Sequence, residues 1–255
     1  DRRRQLTQHH TATHIINAAA RTILGNHVNQ SSAKKELDKA YLDITHYDAL
    51  TEEETKEIEE EANKTIQKGI AIKLEFMPRT TAEQKYGMRL YQGGAVPGKV
   101  IRIVEIPGID VEACGGTHLN NTSEAEQIKI LKTAKVKDGV VRITFAAGNA
   151  AKQKEKAQDE MLAKVMKVLG VTEKQIPYRA QEVFVKWKAA RKALSQKKIM
   201  HSREFELTSK QEYDGEDILK KAAELIKSQV PHLEQTLVKF KKELEEFKKQ
   251  IQKLQ

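Results

Sequence analysis

The pattern of apolar residues changes near residue 149, and this change most constrains the fold. Before it, helical spacing alternates with the two-residue period of strands; after it, only helical spacing continues. Long helices mixed with hairpin-linked strands are typical of an α+β layer and not of a doubly wound sheet. We therefore predict a two-layer α+β domain with an antiparallel sheet over residues 1–149, followed by an all-α, coiled-coil-like region over residues 150–255.

Spacing and end signals place the elements of the first part. Helical spacing predicts a helix from Gln5 to Leu24, and a capping Thr51 and a terminal Gly69 bound a second one. A strand with Leu42 and Ile44 on one face is expected next to the first helix in sequence. A short helix is predicted at residues 81–87, and further strands at residues 70–79 and 99–106 and in a hairpin over 125–148.

The last helix carries a regular apolar seam. Its apolar residues step alternately by four and three, and a seam of about three heptads needs another helix to cover it, in the same chain or across a homodimer. The helices of this region also match at a shift of 57 residues, for example Ile176 with Leu233, which favours a duplicated helical hairpin. The seam consists of Leu233, Leu237, Phe240, Leu244, Phe247, Ile251 and Leu254.

The charge balance separates the two parts. The net charge is +9, and residues 151 to 255 hold 24 Lys+Arg against 16 Asp+Glu, which is an excess of eight. A basic region on a nearly neutral domain indicates a polyanionic partner such as nucleic acid, although a solvated lysine-rich face gives the same composition. The densest cluster consists of Lys186, Lys188, Arg191 and Lys192.

Composition also limits the compartment. About 18 consecutive apolar residues, as a membrane helix needs, occur nowhere, and the first residues lack an initiator Met and the apolar core of a signal peptide. We expect a piece of a longer, cytoplasmic protein. The single cysteine excludes an internal disulfide framework, so its chemistry is expected to be local.

Two short motifs predict a metal centre. His10 and His14 are one helical turn apart, so both imidazoles point the same way and can chelate one zinc ion. Cys114 and His118 flank Gly115-Gly116-Thr117, which permits a tight turn with both side chains directed inward. Two such pairs from distant segments are a stronger signal than either pair alone.

The role of this metal is left open by the spacing. A closed site with four protein ligands is structural, whereas three ligands and an open position are typical of catalysis. A domain of about 150 residues has no need of a metal for folding, which favours catalysis or substrate binding. A second alternative is that Cys114 acts as a nucleophile paired with a histidine.

Several segments together resemble the editing domain of alanyl-tRNA synthetase, and their residues are most similar to those of archaeal enzymes. They are "LTQHHTATHIINAAARTILGNHVNQSSA", "LDITHYDAL", "EACGGTH" and "VVRITFAAGNAA". The resemblance covers residues 1 to about 150 and extends more loosely to the helical region. It implies zinc at the HxxxH and CxxxH positions and hydrolysis of the mischarged Ser-tRNA(Ala) and Gly-tRNA(Ala). The sequence lacks recognisable class II synthetase motifs, so we expect no aminoacylation by this fragment alone.

The editing reaction needs a second hydrolytic site, since a pocket shaped for alanine cannot reject glycine sterically and rejects serine only weakly. Thr11 and Gln30 are candidates for reading the hydroxyl and amino groups of serine, and the amides around Gly115 and Gly116 for stabilising an oxyanion. The basic cluster would hold the acceptor arm of tRNA(Ala). The alternatives are a threonyl-type editing domain and a non-catalytic tRNA-binding or oligomerisation module with structural zinc.

Overall fold

The computed structural model describes residues 2–94, 96–215 and 217–253. It separates into two compact units, and the boundary lies between Glu155 and Lys156. The first unit mixes helices with antiparallel strands and the second is helical, so the predicted α+β class is confirmed. None of the helices in the described residues is long and apolar enough to cross a bilayer.

Two separate antiparallel sheets form the first unit. The four-stranded sheet has the order β1-β2-β7-β6, and the three-stranded sheet has the order β3-β4-β5. The strands are β1 Gln30–Lys35, β2 Ala40–Thr45, β3 Lys73–Pro78, β4 Val100–Ile106, β5 Asp110–Ala113, β6 Ile128–Lys137 and β7 Val140–Ala147. The helices are α1 Arg2–Leu24, α2 Glu52–Gln67 and α3 Arg79–Tyr86.

The main core lies between α1, α2 and the inner face of the four-stranded sheet. Leu42 and Ile44 on β2 and Phe145 on β7 are fully buried there, together with Ile15 and Ile16 of α1. Each such side chain contributes roughly 1.5–3 kcal/mol by leaving water. This burial fixes α1 against the sheet and thereby fixes which of its faces is left for other chemistry.

The three-stranded sheet has a small core of its own on one face. Met77, Ile101 and Ile103 pack there against Ala82 of α3 and Leu90 of the following 3₁₀ turn. Side chains alternate across a strand, so the neighbouring residues of β4 and β5 point to the opposite face. Those residues of β5 are directed toward α1.

Helix α2 is capped as its sequence predicts, and it also protects a sheet edge. Thr51 and Glu54 form a reciprocal capping box, and Gly69 has a φ of 59° after the last turn. The side chain of Asn63 exchanges two hydrogen bonds with the backbone of Ile128 on the edge strand β6, at 2.8 and 3.0 Å. These bonds satisfy backbone groups that an edge strand would otherwise expose.

The helical unit contains the end of α4 Asn149–Leu169 and three further helices, α5 Ile176–Ser195, α6 Ile218–Leu225 and α7 Leu233–Gln252. The 3₁₀ turns Glu173–Gln175 and Val230–His232 lead into α5 and α7 at the same offset of 57 residues. The preceding turns contain Gly170 and Lys227, both with positive φ. The elements thus repeat as a duplicated hairpin requires.

The seam of α7 is covered inside the chain. Leu233, Leu237 and Phe240 pack into a core with α5 and α6, and Leu244 and Ile251 pack with Ala190, Ala193 and Phe205. Leu254, the last residue of the predicted seam, lies outside the described residues. The seam therefore contributes to the folding of this unit and does not supply an open apolar face.

Candidate metal centre

Helix α1 supplies a stripe of polar residues on one of its faces. His10, His14, Asn17 and Arg21 follow one another at intervals of four and three residues, so they share one face. His14, Asn17 and Arg21 are all at most 6% exposed. Since the sheet covers the apolar faces of the helix, this stripe is directed toward β5 and the turn that follows it.

Strand β5 and its turn supply the second half of the site. Asp110 and Glu112 alternate on the face opposite the small core, and Cys114 follows in the same phase. Arg102 of β4 donates to the carbonyl oxygens of Cys114 and Gly116, which fixes the turn to the sheet. A Cβ atom at Gly116 would lie 2.0 Å from Cε1 of His10, so only glycine permits this close approach.

The two halves bring together the four predicted ligands. The Sγ atom of Cys114 lies 3.4 Å from Nε2 of His10 and 3.3 Å from Nε2 of His118. One ligand atom from each of His10, His14, Cys114 and His118 lies within 4.8 Å of all the others. Zinc bonds of about 2.0–2.3 Å in a tetrahedron separate ligand atoms by roughly 3.3–3.8 Å. The group therefore fits zinc in both chemistry and spacing.

The protonation of these ligands also suits a metal. Burial raises the pKa of the Cys114 thiol, but hydrogen bonds from the surrounding imidazoles outweigh it and lower the pKa to about 2. Burial lowers the pKa of His118 to about 4 and also lowers that of His10. At neutral pH the site thus offers a thiolate and two neutral imidazoles, the forms that bind zinc.

Buried carboxylates surround His14. Its Nε2 lies 3.2 Å from Glu112 and its Nδ1 lies 3.6 Å from Asp110. Burial lowers the pKa of His14, but the two acids outweigh it and raise the pKa to about 10. Metal binding at His14 would consequently release a proton.

The same carboxylates are tied to the polar stripe of α1. Arg21 donates to Asp110 at 3.2 Å, and Asn17 donates to Glu112 at 3.2 Å. Burial raises the pKa of Glu112 to about 8. Burial also acts to raise the pKa of Asp110, but its contacts with His14 and Arg21 lower it overall. This network can fix the orientation of the His14 imidazole, as hydrogen bonds from residues around a metal site commonly do for metal ligands.

Thr11 lies beside His118 in the protein interior. It is fully buried, and its hydroxyl lies 3.3 Å from Nδ1 of His118 and accepts the amide of Leu119 at 3.1 Å. Gln30 is connected to the centre less directly. Its amide donates to the side chain of Gln92, which in turn accepts from Asn17.

An open cavity of about 750 Å³ adjoins the centre. His10 and Thr117 form part of its wall, and most of the remaining lining residues are cationic or apolar. Among the described residues, no hydrogen bond is donated by the amides of Gly115, Gly116 and Thr117. The lining consists of Arg2, Arg3, Leu6, Thr7, His10, Ala33, Lys34, Lys35 and Thr117.

Other histidines and acids in the first unit have partners away from the metal ligands. His9 is buried, with Nδ1 2.8 Å from the carbonyl of Glu36. Asp43 pairs with Arg142 and accepts from Ser32, and His46 contacts His27. These residues have structural partners in the sheet and its loops.

The basic cluster of the helical unit divides into two kinds of residue. Lys186 pairs with Glu182 at 3.2 Å and donates to the carbonyl of Glu206. Lys188, Arg191 and Lys192 are exposed. Trp187 is turned into the helix packing, and its ring stacks on Phe240 at a centroid distance of 4.4 Å.

Sequence reasoning missed the buried network behind His14. The signal was present, because Asp110, Glu112 and Cys114 have the period of a strand, and Asn17 and Arg21 extend the face of His10 and His14. Four polar residues at helical spacing on an apolar helix indicate a buried polar face.

Comparison with known proteins supports a synthetase origin. Residues 101–144 match the family described as the threonyl and alanyl tRNA synthetase second additional domain, which includes Cys114 and His118 but not α1. The alanine–tRNA ligase of Methanococcus vannielii is 44% identical over 217 residues, which are 84% of this chain and 24% of the relative. The ligase of Pyrococcus furiosus is 41% identical over 245 residues, which are 95% of this chain and 27% of the relative.

A third relative agrees with the first two. The alanine–tRNA ligase of Methanothermobacter thermautotrophicus is 45% identical over 198 residues, 78% of this chain. The chain spans about a quarter of the length of these curated relatives. It is therefore homologous to a segment of archaeal alanyl-tRNA synthetases and carries a match to their second additional domain.

Proposed function

We propose that this chain is a zinc-dependent deacylase that hydrolyses Ser-tRNA(Ala) and Gly-tRNA(Ala). The observation that carries the proposal is the group of three imidazoles and one thiol beside an open cavity, in a chain homologous to alanine–tRNA ligases. His10, His14, Cys114 and His118 would hold the metal. Zinc supplies, when bound, a Lewis acid that can activate water or orient a substrate.

The remaining chemistry belongs to the protein. Water attacks the ester carbonyl, the bond to the ribose oxygen breaks, and the products are a free amino acid and tRNA with its 3′ hydroxyl restored. The unused amides of Gly115, Gly116 and Thr117 are available to stabilise the negative charge that develops on the carbonyl oxygen. Arg102 keeps these amides in place through the carbonyls of the turn.

Two predicted site residues receive specific roles in this proposal. Thr11 acts as a positioning residue for His118, because its buried hydroxyl contacts Nδ1 of His118 and accepts a hydrogen bond from the amide of Leu119. Gln30 would read the amino group or hydroxyl of serine from the side of the Gln92 loop, since its backbone is anchored there. A site that pairs its polar groups only with a substrate hydroxyl can disfavour the methyl analogue by roughly four orders of magnitude.

The helical unit would bind tRNA through its phosphates. Lys188, Arg191 and Lys192 are exposed and lie within about one turn of each other on α5. Lys186 is less suited to this role, because Glu182 and Glu206 already hold its ammonium.

Deacylation assays with zinc analysis on the same samples test the proposal. The purified chain is given Ser-tRNA(Ala), Gly-tRNA(Ala), Ala-tRNA(Ala) and Ser-tRNA(Thr), and we expect rapid loss of the first two only. The Cys114→Ala variant should lose both zinc and activity while keeping its circular dichroism spectrum, and His232→Ala, an exposed histidine of the helical unit, should behave as wild type. A folded, zinc-loaded wild type that hydrolyses none of these substrates contradicts the proposal, and rapid loss of Ser-tRNA(Thr) alone assigns a threonyl-type site.

A further inference from the structure

The cavity beside the metal centre contains a lysine that has no partner in the described protein. Lys35 ends β1 and lines the cavity with His10 and Thr117. Within the described residues its ammonium forms no hydrogen bond and no ion pair. The neighbouring Lys34 differs, because its ammonium lies 2.8 Å from the carboxylate of Glu36.

Lys35 is also withdrawn from solvent. Burial lowers the pKa of its ammonium, although the nearby charges of Cys114 and Glu112 act in the opposite direction. A partly buried charge without a partner is unfavourable unless an anion completes the site. Zinc bound by Cys114 would remove most of the attraction from the thiolate, so the need for an external anion increases in the metal-loaded protein.

The surroundings indicate the kind of anion. The cavity volume of about 750 Å³ is within the usual range for a site that encloses a small organic ligand. Arg2 and Arg3 of α1 line the same cavity. Four cationic side chains therefore line the cavity, and His10, one of the four predicted metal ligands, lines it as well.

We propose that Lys35 binds the phosphate that joins the last two nucleotides of aminoacyl-tRNA, so that the terminal ribose ester is held at the metal centre. This inference rests on the proposed function, because it assigns the anion to the same substrate. Lys35 is a substrate-binding residue in this scheme, and Arg2 and Arg3 follow the backbone outward. No chemical step is added, since Lys35 serves only to bind the phosphate.

A pair of non-hydrolysable analogues separates the phosphate from the rest of the substrate. One is 3′-deoxy-3′-(L-serylamino)adenosine, and the other is the same molecule with a 5′-phosphate. For the zinc-loaded wild type we expect the phosphate to tighten binding about tenfold to a hundredfold, as for a hydrogen bond to a charged group. Calorimetry gives both dissociation constants, and their ratio is the quantity of interest.

Three variants test whether Lys35 is responsible for the phosphate preference. Lys35→Met should bring the ratio close to one, and Lys35→Arg should retain most of it. The control Lys39→Met, at an exposed lysine between β1 and β2 that does not line the cavity, should leave the ratio nearly unchanged. Zinc content and the circular dichroism spectrum of each variant confirm that the metal centre is intact. An unchanged ratio in folded, zinc-loaded Lys35→Met overturns the proposal. In the deacylation assay, a lower kcat with an unchanged KM for Lys35→Met also overturns it, because that result would assign Lys35 to stabilisation of the oxyanion.

The binding experiment and the deacylation assay can fail separately, so their failures can be distinguished. If wild type shows the phosphate preference but hydrolyses no aminoacyl-tRNA, the proposed function fails and the role of Lys35 as a phosphate ligand stands. If wild type hydrolyses Ser-tRNA(Ala) but binds both analogues equally, the proposed function stands and the inference about Lys35 fails.

Discussion

His118 and Thr11 are joined by a contact of 3.3 Å between Nδ1 and Oγ1, although 107 residues separate them in sequence. The same hydroxyl accepts the amide of Leu119. Zinc ligation through Nε2 of His118 requires the proton on Nδ1, and the second lone pair of the Thr11 hydroxyl can accept it. With zinc bound as proposed, one side chain of the HxxxH helix would thus orient the ring of His118 and favour the tautomer with the proton on Nδ1.

Replacing Thr11 by valine should weaken zinc binding while preserving the fold. The change keeps the shape of the side chain but leaves Nδ1 of His118 and the Leu119 amide without a partner, and loss of such an outer contact typically lowers metal affinity about 10- to 100-fold. Competition with a chelator measures the affinity. Thr13→Val is the matched control, because that buried hydroxyl donates only to the carbonyl of His9, and Thr11→Ser should be close to wild type. Equal zinc affinities in Thr11→Val and Thr13→Val would contradict this role.

The two glycines of the CxxxH turn should respond differently to alanine. A Cβ atom at Gly116 would meet the ring of His10 at 2.0 Å, whereas at Gly115 nothing lies within 4 Å. We therefore expect Gly116→Ala to displace His10 and lose most zinc binding and deacylation, and Gly115→Ala to retain zinc. Metal analysis of the two purified proteins decides this. Full zinc occupancy in Gly116→Ala would show that the turn moves without cost.

Much of the fold was predictable because local signals and tertiary contacts agree. Thr51, Glu54 and Gly69 bound α2 by capping chemistry that acts within a few residues, and Leu42 and Ile44 alternate because one face of β2 is buried. Strand β1 was missed, since Gln30–Lys35 is a polar edge strand whose pairing with β2 supplies no apolar alternation. Strand β5 is only four residues long, and it was missed because its buried face carries the acids Asp110 and Glu112 in place of apolar residues.

The grouping of the four predicted ligands could be predicted from the sequence, but the surroundings of this group could not. Two chelating pairs can be recognised from spacing alone, because each is local. The network of Asp110, Glu112, Asn17 and Arg21 depends on which strand packs against α1, and that is set by the separation of the chain into two sheets. A single antiparallel sheet, as predicted from the sequence, does not place β5 against α1. The unpartnered state of Lys35 likewise depends on side-chain positions that spacing does not encode.

The ion pair between Asp43 and Arg142 should make stability depend on pH in the acid range. Burial raises the pKa of Asp43, but hydrogen bonds from Arg142 and Ser32 lower it overall. A depressed folded pKa means that the stabilisation is fully present above the unfolded value of about 3.9 and is lost as pH falls through the folded value. Asp43→Asn should therefore reduce the free energy of unfolding by about 1–3 kcal/mol at pH 7, and this difference should shrink below about pH 4.

Urea unfolding of wild type and Asp43→Asn at several pH values measures this dependence. Asp138→Asn is the control, because Asp138 lies in the β6–β7 turn with a fully exposed side chain and pairs only with Lys135 at 3.1 Å. An exposed pair of this kind contributes little. A difference between wild type and Asp43→Asn that persists unchanged at pH 3 would assign the loss to packing instead of charge.

The exposed cations of α5 provide a test of whether the helical unit binds tRNA through a defined surface. Changing Lys188, Arg191 and Lys192 to glutamine should weaken tRNA binding and reduce the slope of log affinity against log salt by about two to three, because each phosphate contact contributes roughly 0.7–0.9. The control triple Lys154, Lys156 and Lys164 lies on α4, is also exposed, and removes the same charge. A surface-specific interaction affects only the first variant, whereas a general electrostatic attraction affects both equally.

Trp187 lies 5.5 Å below the guanidinium of Arg191, so its fluorescence should change on tRNA binding in wild type and in the α4 variant but not in the α5 variant.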